Sequence, residues 1–506
     1  MLILFDFMLL VLLAYFLIQA LNIISSLYEK LALAGVLALG LKSVFLFSLI
    51  VVGVRPEADI QLTGSLLLFL VVLFLFRWKA SCAEEISSPP VKTSASPQRV
   101  AALAILGGLF VLSVSNAWFF PLTETDALWY EIRGMRMFHE ARFNLEIFNQ
   151  EYPPLVPFLF TYQISFQLEK LKIIFPLFYL CLLVIFYRRV LVNGENETLA
   201  ATLTLILGTT PFLWWHSVLP FMNLVAGLYF SLGSIYWFFL LKETLIETSE
   251  QSSARLIPLA LLSGSMIGLA CWTRLEFVLY GAIPILMLSF YLQRNEDIEK
   301  SLKNHVHFCF SCSILTLPTI WIVSLYFFQI PAGTKIQGTG IICLLLWVLV
   351  MGFPYWSPRI VFKPKHLLSV PVVLVAIFFV VLAVSGPDSV SFGMAILLGL
   401  YRTVVYNIYF SVTVVLVMFL FLEPWKNQSA PVKLLGGFLL AYLFVHFAIY
   451  TFMPPKWDNL KAYIDATFIH PGNAVNSSGV RGMIAFYPIF VFFISCLKTV
   501  RKGFES

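Results

Sequence analysis

Residues 121–157 read PLTETDALWYEIRGMRMFHEARFNLEIFNQEYPPLVP, gathering acids, arginines, a histidine and paired prolines in a chain that is otherwise almost wholly apolar. Asp126 is the first candidate for chemistry. A carboxylate beside arginines can take a proton from an acceptor hydroxyl while the cations hold a phosphate. Glu124, two residues earlier, is a second acid at the same place. From Asp126 to about Arg142 the spacing predicts a helix. Tyr130, Arg133, Met137 and Glu140 recur along one face, and Arg136 and His139 flank it. Such a helix lies along a membrane surface with its charged side open to headgroups. Thr123, with Asp126 three residues on, also fits a helix-start cap, and one acid can both cap and catalyse.

Three further stretches carry polar groups with chemical potential. In GLACWTRLEFVLYG (268–281), Arg274 and Glu276 interrupt apolar sequence between two helices. Ionisable groups near membrane depth are costly and mark functional sites, although a local salt bridge at a tight helical hairpin would look the same. WWHSVLPFMN (214–223) reads as a short turn with His216 and Asn223, and a lone histidine beside tryptophans is more often an interface residue than a ligand. Arg481, in NSSGVRGMIAFYPIF (476–490), offers a planar set of donors suited to phosphate, or snorkels at a helix end. Tyr152 opens the corner EYPPL (151–155), whose two prolines forbid helix through them.

The elements that must position these groups are transmembrane helices. Of 506 residues, 60% are hydrophobic and 12% charged, and 49 are Phe, far from the roughly 25% charged residues of soluble domains. The chain is read as an all-α polytopic membrane protein. About 13–15 crossings are expected, near 2–24, 31–53, 63–77, 100–120, 173–188, 198–214, 217–241, 256–273, 276–293, 306–328, 338–353, 367–385, 396–423, 432–453 and 483–499. The N-terminal run lacks a basic start and a small-residue cleavage site, so it counts as a retained span. The stretch 155–166, LVPFLFTYQISF, is too short to cross and is expected to lie in the interface or re-enter.

Charge fixes the orientation. With 155–166 not crossing, the basic loops 77–99, 188–197, 292–305 and 354–366 and the C-terminal tail fall on one side, the cytoplasmic one. The net charge of +6 therefore reflects the membrane and not a nucleic-acid partner. Four units follow: three helices in 1–77, a Ser/Pro-rich cytoplasmic linker in 78–99, a catalytic transmembrane module in 100–293 with external loop 121–172, and C-terminal helices in 294–506 with external loop 454–482. Cys309 and Cys312 form a CxxC with no second pair nearby, and read as small residues one helical turn apart. Under this topology Asp126, Arg133, Arg136, Arg274, Glu276 and Arg481 all map to one membrane face. A surface acid with several arginines beside a bilayer implies an anionic, phosphate-bearing lipid substrate.

These residues resemble the GT-C superfamily of integral-membrane glycosyltransferases, especially the bacterial protein mannosyltransferase and aminoarabinose transferase group. In that family the first external loop begins with an acid, in a pattern like WDALxYH or TDAL, and ends at a YPPL or YPPG corner. Here TDALWYE is followed by NQEYPPLVPFL at a similar separation. GLACWTRLEF is similar to the GLAxxTKxEG segment, with Arg274 at the lysine and Glu276 at the acid, and GVRGMIAFYP is similar to the late R-Y-x-x-P pattern. The likeness covers residues 100–290 and, more weakly, the last helix. It departs where Asn223 stands in place of the Asp of a YADLP-like turn, and where the loop acid is not a DE or DD pair.

The resemblance implies a GT-C type helical bundle with interfacial helices in the first large external loop. It also implies transfer of a sugar from a polyprenyl-phosphate donor to an acceptor on the non-cytoplasmic face of a bacterial plasma membrane. Asp126 would serve as base, with Arg274, Arg481 and one of Arg133 or Arg136 on the leaving phosphate. The residues specify no cofactor; a divalent ion between Asp126 and the phosphate stays open, as do the sugar and the acceptor, whether glycan, lipid or protein. Two rivals use the same charges: a lipid or glycolipid flippase with a headgroup gate, and an O-antigen-type polymerase or ligase. A carrier needs a midplane site and often internal repeats, which the sequence does not display. A polymerase or ligase of that type would place its chemistry in 454–482.

Overall fold

The computed structural model describes residues 2–80, 97–142, 153–245, 250–295, 298–328, 334–356, 427–452 and 478–505. Tyr152, most of the 78–99 linker, the spans expected at 367–385 and 396–423 and nearly all of the 454–482 loop lie outside the described residues. Within them every element is helical. The helices are α1 (Leu2–Leu21), α2 (Leu27–Val51), α3 (Ala58–Ala80), α4 (Pro97–Phe119), α5 (Thr125–Glu140), α6 (Leu155–Ser165), α7 (Ile174–Gly194) and α8 (Glu197–Thr209). There follow α9 (Pro211–Val218), α10 (Met222–Glu243), α11 (Glu250–Thr273), α12 (Phe277–Arg294), α13 (Lys300–Phe327) and α14 (Thr334–Trp356). The last are α15 (Ala430–Phe452), α16 (Ser478–Cys496) and α17 (Lys498–Glu505). Among the described residues nine helices are long and apolar enough to cross a membrane, or 11 if each of two bent pairs forms one span. The protein is an all-α polytopic membrane protein.

The core is built around α10. Every residue from Met222 to Leu241 is buried, so this helix is enclosed by protein on all sides. Its glycines make that possible. A Cβ on Gly227 would stand 3.1 Å from the backbone nitrogen of Ala485, and one on Gly233 would stand 3.0 Å from the carbonyl of Ser263. Small residues at these crossings let backbones approach in the absence of a hydrophobic drive between helices. Trp272 ties α11 to α2, donating from Nε1 to Ser43 Oγ at 3.0 Å and meeting Phe47 edge-on at 5.0 Å. The N-terminal helices are thus packed into the bundle: Tyr229 of α10 donates its hydroxyl to the Val36 carbonyl of α2 at 2.6 Å.

Two buried charge clusters stitch the ends of the bundle. At one end Glu29 of α2 accepts from Arg189 Nη2 and from the Tyr236 hydroxyl, each at 2.5 Å. Arg189 had been expected in a solvated basic loop; α7 instead continues to Gly194 and carries it inward, 6% exposed, because its charge has a partner on α2. The same end holds the Arg99–Glu197 pair at 2.5 Å and the C-terminal α17, whose Phe504 carbonyl accepts from Asn196. Asn196 also caps α8, its Oδ1 accepting from the Leu199 amide at 2.8 Å. At the other end Lys42 of α2 pairs with Asp6 of α1 at 2.9 Å, both wholly buried.

Two local expectations change, and a third gains its surroundings. The segment 214–223 is not a short turn: α8 bends by 61° at Thr210 into α9, which carries His216. Pro211 at the first position of α9 starts the new helix, where its missing N–H costs nothing. α6 is too short to cross, as expected, and ten of its residues are buried, so protein encloses it. The start of α5 is capped at Glu124 and not Thr123, and Glu124 turns its carboxylate back to accept from the Thr123 amide at 3.3 Å.

Candidate functional site

α5 positions the loop acid. Its helix forms as the sequence predicts, two residues shorter at the C-terminal end, where Ala141 adopts a left-handed φ of 48° and stops it. The face turned to protein is Ala127, Tyr130, Gly134 and Met137. Gly134 lies so close to α6 that an added Cβ would sit 3.0 Å from the Pro157 carbonyl and 3.0 Å from the Thr161 amide. Thr161 closes the contact, its hydroxyl donating to the Gly134 carbonyl at 3.1 Å. Along the edge of this face run Asp126, Arg133 and Glu140, seven residues apart and all half-exposed. The acid therefore shares an edge with one arginine. Arg136 and His139 point away with Leu128, Trp129, Ile132 and Met135, an exposed mixed face suited to a headgroup layer. Trp118, Phe119 and Phe120, exposed at the end of α4, extend it as an aromatic belt.

The first turn of α5 meets the bundle at one point. Ala127 packs with Val218, Leu219 and Phe221, the turn joining α9 to α10. Asp126 is thereby held beside the start of α10, and its charge is favourable in the first turn of its own helix. Two residues past Phe221, Asn223 accepts through Oδ1 from the guanidinium of Arg274. Arg274, 7% exposed, also pairs with Glu276. The local salt bridge of a tight helical hairpin is therefore present, and it extends to a third helix. Arg274, Leu275 and Glu276 make the turn itself, closed by the Phe277 amide on the Arg274 carbonyl at 3.1 Å. A guanidinium held in plane from two sides keeps a fixed orientation.

Arg481 falls in the first turn of α16, its side chain lying outside the described residues. Ile484 and Ala485 touch Gly227, so the two parallel helices bring position 481 to the level of Asn223. His216 is a core residue of α9: it is 3% exposed, its Nδ1 lies 2.8 Å from the Phe212 carbonyl, and its ring packs on Phe212 at 4.4 Å. Thus Asp126, Arg274, Glu276 and the backbone of Arg481 converge on one end of the bundle. Arg136 and His139 face outward, and His216 is spent on packing.

Several groups escaped the sequence reading. Lys172, 4% exposed in the turn between α6 and α7, is held below the ordinary lysine range by burial, against the opposing pull of Glu124. Glu131, on the other flank of α5, is pushed above the usual carboxylate range by burial. Tyr280 lies one turn beyond Glu276 and shares a 2.8 Å hydrogen bond with His446 Nδ1 of α15. The signal for Tyr280 was in the sequence, four residues after the acid and on the same helical face; His446 lies too far along the chain for spacing to pair them. Among the described residues no three His, Cys, Asp or Glu side chains stand together as a metal-binding group.

No protein-family model, no curated protein and no solved structure matches the chain.

Proposed function

We propose that the protein is a membrane glycosyltransferase moving a sugar from a polyprenyl-phosphate donor to an acceptor on the non-cytoplasmic face. The observation that carries the reading is the Asn223–Arg274–Glu276 set beside the point where the first turn of α5 docks. A sugar leaving a lipid phosphate needs an oriented cation where negative charge builds, and a base within reach of the acceptor hydroxyl. Arg274 is the oriented cation, with Arg481 at the same level, and Asp126 is the base. Asp126 takes the hydroxyl proton as the acceptor oxygen attacks the anomeric carbon, and the carbon–oxygen bond to the phosphate breaks with inversion. The leaving phosphate keeps its electron pair and stays paired with the guanidinium. The outward face of α5, with Arg136 and His139 among apolar residues, suits a substrate that arrives in the plane of the membrane. The motif likeness in residues 121–157 and 268–281 points to the same residues.

The test is purified full-length protein and its Asp126→Asn and Arg274→Ala variants, offered a panel of polyprenyl-phosphate sugars. Release of the lipid phosphate and thermal stabilisation by donor are both followed. Asp126→Asn should bind donor and release no phosphate, and Arg274→Ala should lose rate by about 10²–10³. Wild-type protein that neither binds nor turns over any lipid-linked sugar, while its variants alter lipid movement across vesicles, would replace this reading with the flippase one.

A further inference from the structure

α5 is supported at three points, and the third comes from the N-terminal helices. Its first turn rests on Phe221 and its middle on α6 at Gly134. Its last turn is held by Arg55, in the loop between α2 and α3. Arg55 Nε donates to the Phe138 carbonyl at 3.2 Å, and the guanidinium lies 4.7 Å from the centre of the Phe138 ring. This supplies a donor to one of the terminal carbonyls that a helix leaves unpaired. The same hairpin also holds α6, one turn beyond the Thr161 contact with α5. Gln61 of α3 donates from Nε2 to Ser165 Oγ at 2.5 Å and to the Pro56 carbonyl at 2.6 Å. Lys42, paired with Asp6, lies 4.7 Å from the centre of the Tyr162 ring.

We propose that the α2–α3 hairpin is the positioning element for α5, with Arg55 as the positioning residue for Asp126. Residue 138 is 12 positions from residue 126, roughly 18 Å along a helix. Gly134 lies between them as a fulcrum on α6. Releasing the Phe138 end lets the helix rock about that contact and moves the acid at the other end. A displacement of about 1 Å at a reacting group can cost on the order of 10²-fold in rate. The consequence for rate rests on the transferase reading; the mechanical coupling does not.

The experiment uses the full chain in lipid nanodiscs, with Arg55→Ala and Gln61→Leu. Arg55 has a side chain 44% exposed, so its removal leaves the core intact. Hydrogen exchange is read in two peptides, 125–140 from α5 and 222–243 from α10. In Arg55→Ala the α5 peptide should exchange about tenfold faster while α10 is unchanged, and Arg55→Lys should fall between. The rate of lipid-phosphate release should drop 10- to 100-fold in kcat with KM unchanged. Gln61→Leu should loosen α6 and α5 together. Unchanged α5 protection in both variants, or equal loosening of α10, overturns the proposal. If α5 loosens as expected but wild-type protein moves no lipid-linked sugar, the positioning role stands and the transferase reading fails.

Discussion

The buried pair Glu29–Arg189 yields a prediction whose sign is not the intuitive one. Glu29 is wholly buried and accepts from Arg189 Nη2 and the Tyr236 hydroxyl, each at 2.5 Å, within an ion pair with Arg189. Arg189→Met leaves that carboxylate with a single phenol, and an uncompensated buried charge costs about 3–5 kcal/mol. Glu29→Leu strands the guanidinium instead, but it still lies over Tyr236 at 5.2 Å and Phe239 at 4.9 Å. A desolvated cation–π contact contributes about 2 kcal/mol, so this variant should be the milder of the two. The double variant, Glu29→Leu with Arg189→Met, removes both charges and both desolvation costs. Replacing a buried pair by apolar groups of similar size is often neutral or stabilising by about 1–4 kcal/mol. The coupling between the two positions should then be at least about 3 kcal/mol. In thermal unfolding of the purified chain the double variant should melt highest of the three, with Arg189→Met lower by on the order of 5 °C. A double variant that melts below Arg189→Met would refute the reasoning, because the pair would then be a net stabiliser.

Other outcomes follow from the site. Gly134→Ala forces α5 off α6 against backbone atoms that cannot yield, and should cost about 1–3 kcal/mol of stability; transfer should fall more steeply than the melting temperature, which a comparison of Gly134→Ala with Gly107→Ala, a glycine with open space around it, measures. Asn223→Asp puts a second carboxylate on Arg274 and neutralises it further toward a phosphate, so donor affinity should fall several-fold by titration, while Asn223→Ala should loosen Arg274 and reduce kcat. Glu131 has its folded pKa raised by burial, so the folded state binds its proton more tightly than the unfolded chain does. Its contribution is fully present below the ordinary carboxylate value near 4.5 and is lost as pH rises through the raised value. Glu131→Gln should therefore flatten that slope in melting temperature against pH, and an unchanged slope would remove Glu131 from the account.

The helices were legible because apolar runs of membrane length have few other uses, and α5 was legible because its polar residues repeat at helical spacing. The placement of 155–165 was half legible: its length excluded a crossing, but only packing could say that protein covers it. The bend at Thr210 was hidden, because 198–214 and 217–241 read equally well as two straight spans with a turn. The buried charges were missed for a different reason. Asp6 in LILFDF and Lys42 in GLKSVF each interrupt an apolar run, which is itself a signal of a functional or paired group. Their partnership spans 36 positions and two helices, a distance at which spacing carries no information. Arg189 was hidden by its neighbour Arg188, since two adjacent arginines look like a loop. Within the site, Asp126, Arg274 and Glu276 were named from the sequence, but the link through Asn223 needed the third dimension.

The enclosure of α10 has a consequence for how the chain is made. Its partner surface at Gly227 is supplied by Ile484 and Ala485, some 257 positions later. At roughly 5–20 residues per second of synthesis, that surface exists only about 13–50 s after α10 has left the ribosome. Through that interval the glycine-lined side of α10 faces lipid or whatever else the insertion machinery offers it. The most enclosed helix of the finished protein therefore waits through about half of the chain's synthesis for one of its walls. A ribosome stalled before residue 478 would release a bundle with its centre open.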